Sequence, residues 1–244
     1  MRQVKTRHNV RRFDEDVRRS GSYSYTADRL SCRLANGRIS SGILAALPMA
    51  GKSVLDLGCG DGTYSLELAA AGAASVLGVD AAPAAVESAT QRAAERGLQG
   101  LASFQYGDIN DLRLPHRFDC VVLRGVLHHL PDPAAAIISA ARWSDTVLIL
   151  EPNGLNPALK IIERLSRYHR AHEERSFLPR TLRRWCREAG FSSIQTRFIN
   201  LVPMFCPDWL ARPLAAVGPA LELVPLARAF CCGQIVVLAQ KQAG

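Results

Sequence analysis

Between residues 53 and 151 the chain alternates between two hydrophobic patterns. Short runs at 53–57, 75–80, 102–106, 118–124 and 145–151 are rich in Val, Leu and Ile and nearly continuous, as strands buried on both faces require. The intervening stretches 63–71, 82–96 and 133–141 are rich in Ala, Glu and Arg and predict helices. Strand–helix alternation of this kind predicts a parallel sheet covered on both faces. Right-handed crossovers then make an open, doubly wound α/β fold.

Local punctuation agrees with that reading. Asp61-Gly62 and Ala71-Gly72 are turn and helix-end signals, Pro83 suits a first helical turn, and Asp132 precedes Pro133 as an N-cap. After Glu151 the pattern changes. "PNGLNPALKIIERLSRYHR" predicts a turn and a basic amphipathic helix, and "LPRTLRRWCREAGF" a helix stopped by Gly190. "SSIQTRFINLVP" and "GQIVVLAQK" predict two late strands with no crossover unit between them, hence an antiparallel edge. The segment 203–230 is apolar and punctuated by proline, and reads as a lid or packing insert. The expected organisation is an arm with cap helices over 1–47 and one domain over 48–244, with lid insertions at about 152–180 and 203–232.

Composition narrows the class. A chain of 244 residues with 48% hydrophobic residues and a mean hydropathy of +0.02 can bury a single large core. The first residues are charged, so no leader is expected, and no uninterrupted apolar run is long enough to span a bilayer. Seven cysteines occur without zinc spacing, which predicts reduced thiols in a cytoplasmic protein and no metal site. The net charge of +8 lies on the flanks, since 51–150 carries seven Lys or Arg against eleven Asp or Glu. Basic flanks can draw nucleic acid, anionic lipid or an acidic small molecule. Solvated helix faces explain them equally well.

The chemistry gathers where strands should end. "VLDLGCGDGTYS" sets Asp56 ahead of Gly58, Cys59, Gly60 and Gly62. A dinucleotide loop has G-x-G-x-x-G, and a triphosphate loop ends in Gly-Lys-Ser/Thr. Here the third glycine comes early, no lysine follows, and the leading carboxylate suits a cationic ammonium rather than pyrophosphate. Asp80 closes the second run, about twenty residues on, where an acid bonds ribose hydroxyls. Asp108 and Ile109 follow the third run, where a carboxylate can accept from an adenine amine. Together these edges describe a nucleoside joined to an amino acid, S-adenosyl-L-methionine.

The blocks "VLDLGCGDGTYS", "VLGVDAAPAAVESA", "YGDIND", "FDCVVLRGVLHHLPDP" and "LILEPNG", in that order, resemble the class I S-adenosylmethionine-dependent methyltransferases. "LHHLPDP" is most similar to their small-molecule branch, which includes quinone-biosynthesis methyltransferases. The resemblance implies a seven-stranded sheet whose last strand is antiparallel. It also implies cofactor roles for Asp56, Gly58, Gly60, Asp80, Ala81, Asp108, Ile109 and Arg124, the last through its backbone.

Methyl transfer from a sulfonium needs alignment, exclusion of water and, for a hydroxyl or protonated amine, removal of a proton. His128 and His129 follow the fourth strand and Glu151 closes the fifth; each is a catalytic candidate or a residue packed under its loop. Tyr25, in the arm, either reaches the site or staples the arm to the core. His169 and His172 read as surface residues. The expected acceptor is a small or lipid-like molecule methylated at oxygen, nitrogen or carbon. The alternatives are an RNA acceptor held by the basic flanks and a non-catalytic cofactor-binding module. The helix after 155 allows contact with a membrane or a second subunit. No separate RNA-binding module and no Asn/Asp-Pro-Pro-aromatic motif is present.

Overall fold

The computed structural model describes residues 28–165 and 175–242. Seven strands form one sheet: β1 (Ser53–Leu57), β2 (Ser75–Asp80), β3 (Ala102–Tyr106), β4 (Cys120–Arg124), β5 (Thr146–Pro152), β6 (Ser193–Ile199) and β7 (Gln234–Gln240). Their spatial order is β3-β2-β1-β4-β5-β7-β6. The first five are parallel. β7 runs antiparallel to both β5 and β6, so the last strand is inserted one place in from the edge, and β6 is the edge strand. Strand order reverses between β1 and β4, and ligands of such sheets bind in the crevice outside that reversal.

Adjacent positions on each strand serve opposite cores. Cys120 and Val122 join Val54, Leu66 and Val76 under α1 (Leu30–Ala46), α2 (Thr63–Ala70) and α3 (Pro83–Glu95). Val121 and Leu123 join Leu55, Ile137 and Ile235 under α4 (Pro133–Trp143) and α6 (Pro179–Glu188). With both faces covered, neither needs polar residues, which is why the strands read as continuous apolar runs. α1 belongs to the first core outright, through the fully buried Ile39 and Ile43.

The caps follow the sequence signals. Asp132 accepts from the Ala135 N–H (3.2 Å) at the start of α4, and Gly190 ends α6 at φ +91. The strand at 192–203 stops earlier than its apolar pattern. Asn200 adopts φ +65 and its side chain bonds both the N–H and the C=O of Val202, so the backbone turns where β6 would continue.

Past β5, Asn153 and Asn156 tie α5 (Pro157–Leu165) to the C-terminal helices. Their amides donate to Ala229, Cys231 and Cys232 carbonyls at 2.8–3.2 Å. The proline-punctuated segment is helical: α7 (Asp208–Leu221) keeps Pro213 and Pro219 inside one helix, and α8 (Pro225–Cys231) follows. α7 is held by Ala211 packing on Ala35 and Val202. The buried Glu222 is gripped by Arg38 of α1 and the Asn200 N–H. Tertiary contact here outweighs the hydrogen bond that each proline removes. Among the described residues no helix is long and apolar enough to cross a membrane.

Candidate functional site

The glycine loop is built by its protein neighbours. Gly58 and Gly62 have φ +75 and +73, a region that costs other residues steric strain. A Cβ on Gly58 would lie 2.8 Å from the Val126 Cβ, and one on Gly62 2.7 Å from the Ala89 Cβ. These two glycines therefore allow the β1 loop to close against the β4 loop and α3. Cys59 is buried, its sulfur over Gly78 of β2, so only its backbone belongs to the loop's rim. The Gly58 and Cys59 N–H groups both donate to Val79 O (2.8 and 3.2 Å).

Asp80 links the loops. One carboxylate oxygen accepts from the Gly60 N–H (2.8 Å), the other from the Ala82 N–H (2.9 Å), with Ala81 between. Burial raises its carboxyl above the usual range, and these backbone donors oppose the rise. Each oxygen keeps a second lone pair for a ribose hydroxyl. Asp56 is buried beneath the loop and accepts from Ser65 Oγ (2.5 Å). Desolvation pushes it up to about 6, so a cationic group reaching it would restore its charge. Asp61, also buried, pairs with Arg92 of α3 (3.2 Å) and caps the start of α2. Asp108 is exposed and closes a turn on the Asn110 N–H (2.9 Å); Ile109 beneath it is buried, its carbonyl accepting from Ser139 Oγ (2.5 Å). The donors and acceptors at this edge fit S-adenosylmethionine, with carboxylates at the ends of β1 and β2 and an exposed one after β3.

Register at the β4–β5 pair assembles a second group. Arg124 lies opposite Leu150, so the loop after β4 crosses the end of β5. Glu151, fully buried, accepts from the Leu127 N–H (2.7 Å) and sits 2.6 Å from His128 Nδ1. An ionised Glu151 can only accept, which assigns the hydrogen to Nδ1 and the lone pair to Nε2. The His129 ring lies 3.9 Å from that of His128, centroid to centroid.

His128, His129 and Arg124 line a cavity of about 520 Å³, within the range of small-molecule sites. Asn36 and Ile39 of α1, Tyr64 of α2, Leu150 of β5 and Leu159 of α5 contribute walls, and the stretch Val202–Cys206 closes it. The Tyr64 hydroxyl donates to Asn36 (2.8 Å), and burial pushes its phenol up to about 12. Glu151 stands behind His128, fully buried and outside the cavity lining. Tyr25, His169 and His172 lie outside the described residues.

Sequence reasoning missed the cavity's far wall. Asn36, Tyr64 and Arg175 carry no local motif and meet only through tertiary packing. The signal that could have found Tyr64 is its place one residue inside the helix that follows the glycine loop.

The chain matches the family described as "Methyltransferase domain" over residues 48–187. It is 34% identical over 163 residues to a ubiquinone biosynthesis O-methyltransferase of Neisseria meningitidis serogroup A, covering 61% of this chain and 67% of that one. It is 34% identical over 122 residues to the 27-O-demethylrifamycin SV methyltransferase of Amycolatopsis mediterranei, covering 49% and 43%. The chain spans about two thirds or less of these curated relatives. The magnesium protoporphyrin IX methyltransferase of Synechocystis, solved with bound S-adenosylhomocysteine, shares the fold. Its TM-score is 0.65 at 19% identity, over 98% of both chains. The family match covers the glycine loop, Asp80, Asp108 and the histidine loop alike, and the chain belongs to this family as an S-adenosylmethionine-dependent methyltransferase.

Proposed function

We propose that the chain methylates a hydroxyl oxygen on a small, largely apolar acceptor seated in the 520 Å³ cavity, with His128 as the proton acceptor. The observation that carries this reading is the buried Glu151–His128 pair, whose imidazole lines an otherwise mainly apolar space. S-adenosylmethionine, when bound, supplies a methyl group on a positively charged sulfur. The cavity walls exclude water and hold the acceptor oxygen in line. His128 takes the hydroxyl proton on Nε2 as the oxygen–methyl bond forms and the sulfur–methyl bond breaks. Glu151 steadies the imidazolium that results. The sulfur leaves neutral, and the proton passes to solvent after release. Both curated relatives are named as methyltransferases of small molecules, one of them explicitly an O-methyltransferase.

A catechol with a short alkyl tail is the test acceptor, and methyl transfer from labelled donor is the readout. His128→Gln is expected to lower kcat by roughly 10²–10⁴-fold, with S-adenosylhomocysteine affinity unchanged. Glu151→Gln should lower kcat less and shift the pH–rate profile. Wild-type protein that transfers nothing to the catechol, or a His128→Gln variant with wild-type kcat, overturns the reading.

A further inference from the structure

Arg124 stands out among the cavity's polar groups. Its side chain is 7% exposed, and its guanidinium lies flat over the Tyr64 ring, 3.3 Å from the centroid. Nη1 is occupied by Ser40 Oγ (3.1 Å) and Glu67 Oε2 (3.3 Å). Nη2 is buried and has no hydrogen-bond partner among the described residues. A guanidinium nitrogen carries hydrogens that cannot be shed, and burying them unpaired is costly. Tyr64 and Ser40 hold the group in this position, so it cannot swing out to water without breaking both contacts.

The charges around it favour an anion over a neutral oxygen. Glu67 is only partly buried and also accepts from Ser40 Oγ (2.5 Å), so solvent and the hydroxyl share its charge. The carboxylates nearer the cavity are matched: Glu163 by Lys160 (3.1 Å), and Glu151 by His128 and the Leu127 N–H. Arg175, on another wall, donates to the His128 and Leu130 carbonyls and adds a second cation. Glu67 and the buried Asp56 already offset part of the Arg124 charge. A carbonyl or hydroxyl could satisfy one Nη2 hydrogen, whereas a carboxylate can satisfy it and match the planar guanidinium fork as well.

We propose that Arg124 is the anion-recognition residue of the acceptor cavity, and that the acceptor joins a carboxylate to an apolar, hydroxyl-bearing body. This rests on the reading that the cavity receives the acceptor. The carboxylate would pair with the Arg124 guanidinium at the cavity wall that Arg124 shares with Tyr64. His128 lines the same cavity, so one molecule could present its acid to Arg124 and its hydroxyl to the imidazole.

The test is equilibrium binding of benzoate and benzyl alcohol, by calorimetry, to protein saturated with S-adenosylhomocysteine. Saturation fills the donor's own carboxylate subsite, so any preference for benzoate belongs to the acceptor side. Wild type should bind benzoate at least tenfold more tightly than benzyl alcohol. Arg124→Met should cut that preference below twofold while keeping S-adenosylhomocysteine affinity within twofold. Arg124→Lys, a cation without the fork, should keep an intermediate preference, and it serves should the methionine variant fail to fold. No preference in wild type, binding of neither probe, or a preference that survives in Arg124→Met overturns the proposal. A tenfold loss of S-adenosylhomocysteine affinity in Arg124→Met also overturns it, because Nη2 then serves the donor. The readout involves no turnover, so a failed His128 test and a failed benzoate test remain distinguishable.

Discussion

Gly58→Ala tests whether the glycine loop is shaped by the ligand or by the protein. Two costs follow from the structure. Alanine at φ +75 carries about 1–2 kcal/mol of left-handed strain. Its Cβ would lie 2.8 Å from the Val126 Cβ and closer still to Cγ2, and overpacking of that kind adds roughly 1–3 kcal/mol. The sum, roughly 2–5 kcal/mol, is a large share of a typical domain's stability of about 5–15 kcal/mol. Val126→Gly removes the three atoms nearest the new Cβ, so a double-mutant cycle separates the terms. The pair should show a favourable coupling of about 1–3 kcal/mol, leaving the dihedral strain behind. Urea unfolding of all four proteins, with and without saturating S-adenosylhomocysteine, is the assay. The double variant should keep most of the ligand's stabilising increment, about 2.7 kcal/mol at a hundredfold excess over Kd. A Gly58→Ala protein that unfolds within about 0.5 kcal/mol of wild type yet no longer binds S-adenosylhomocysteine would refute the argument. So would a cycle with no coupling.

Asp56 predicts a pH dependence in the ligand-free protein. Burial raises its carboxyl from 3.8 to about 6, so between those values the folded chain holds a proton the unfolded chain has released. Stability therefore falls as pH rises from about 4 to 6, by about 3 kcal/mol in all. Asp56→Asn should flatten that slope in urea titrations, and matching slopes would refute the assignment. Glu222 predicts how strongly α7 is attached to α1. Glu222→Ala strands the partly buried Arg38 and the Asn200 N–H that it now satisfies, at a cost of about 2–3 kcal/mol. Faster proteolysis within 203–232 and a lower unfolding midpoint are expected; an unchanged midpoint would show that α7 is held by its apolar contacts alone.

What could be read in advance was what local pattern controls. Five runs became β1 to β5 almost at their predicted bounds; β1, β4 and β5, buried on both faces, leave an unbroken apolar signature, and the edge strand β3 does not. The cofactor edge was legible for a related reason: parallel strands end on one side, so Asp56, Asp80 and Asp108 had to gather there once the fold was known. The proposed catalytic pair was not legible as a pair. His128 and Glu151 appeared as separate candidates because their pairing depends on β4–β5 register, which no residue within either strand announces. The resemblance gives Arg124 a backbone role and leaves its side chain to the substrate or the sheet, and nothing local indicates that Tyr64 and Ser40, on two different helices, pin its guanidinium. The prolines within 203–230 do not announce α7, which is held by contact with α1.

The glycines carry the sharpest lesson. Their spacing identifies the ligand class, yet Gly58 and Gly62 touch Val126 and Ala89 of the protein itself. The two facts are one constraint. A loop that must hold Gly60 N–H on Asp80 and leave the β1 edge open has to fold back tightly on its neighbours, and side chains are excluded from that closure. The spacing thus reports the ligand through the loop shape it demands. The proposed acceptor cavity leaves no comparable trace, because most of its walls come from α1, α2, α5 and the 202–206 stretch, which meet the ends of β4 and β5 only through tertiary packing. Recognition of an acceptor is therefore argued from chemistry left unsatisfied around that cavity, and the buried Arg124 Nη2 is such a group among the described residues.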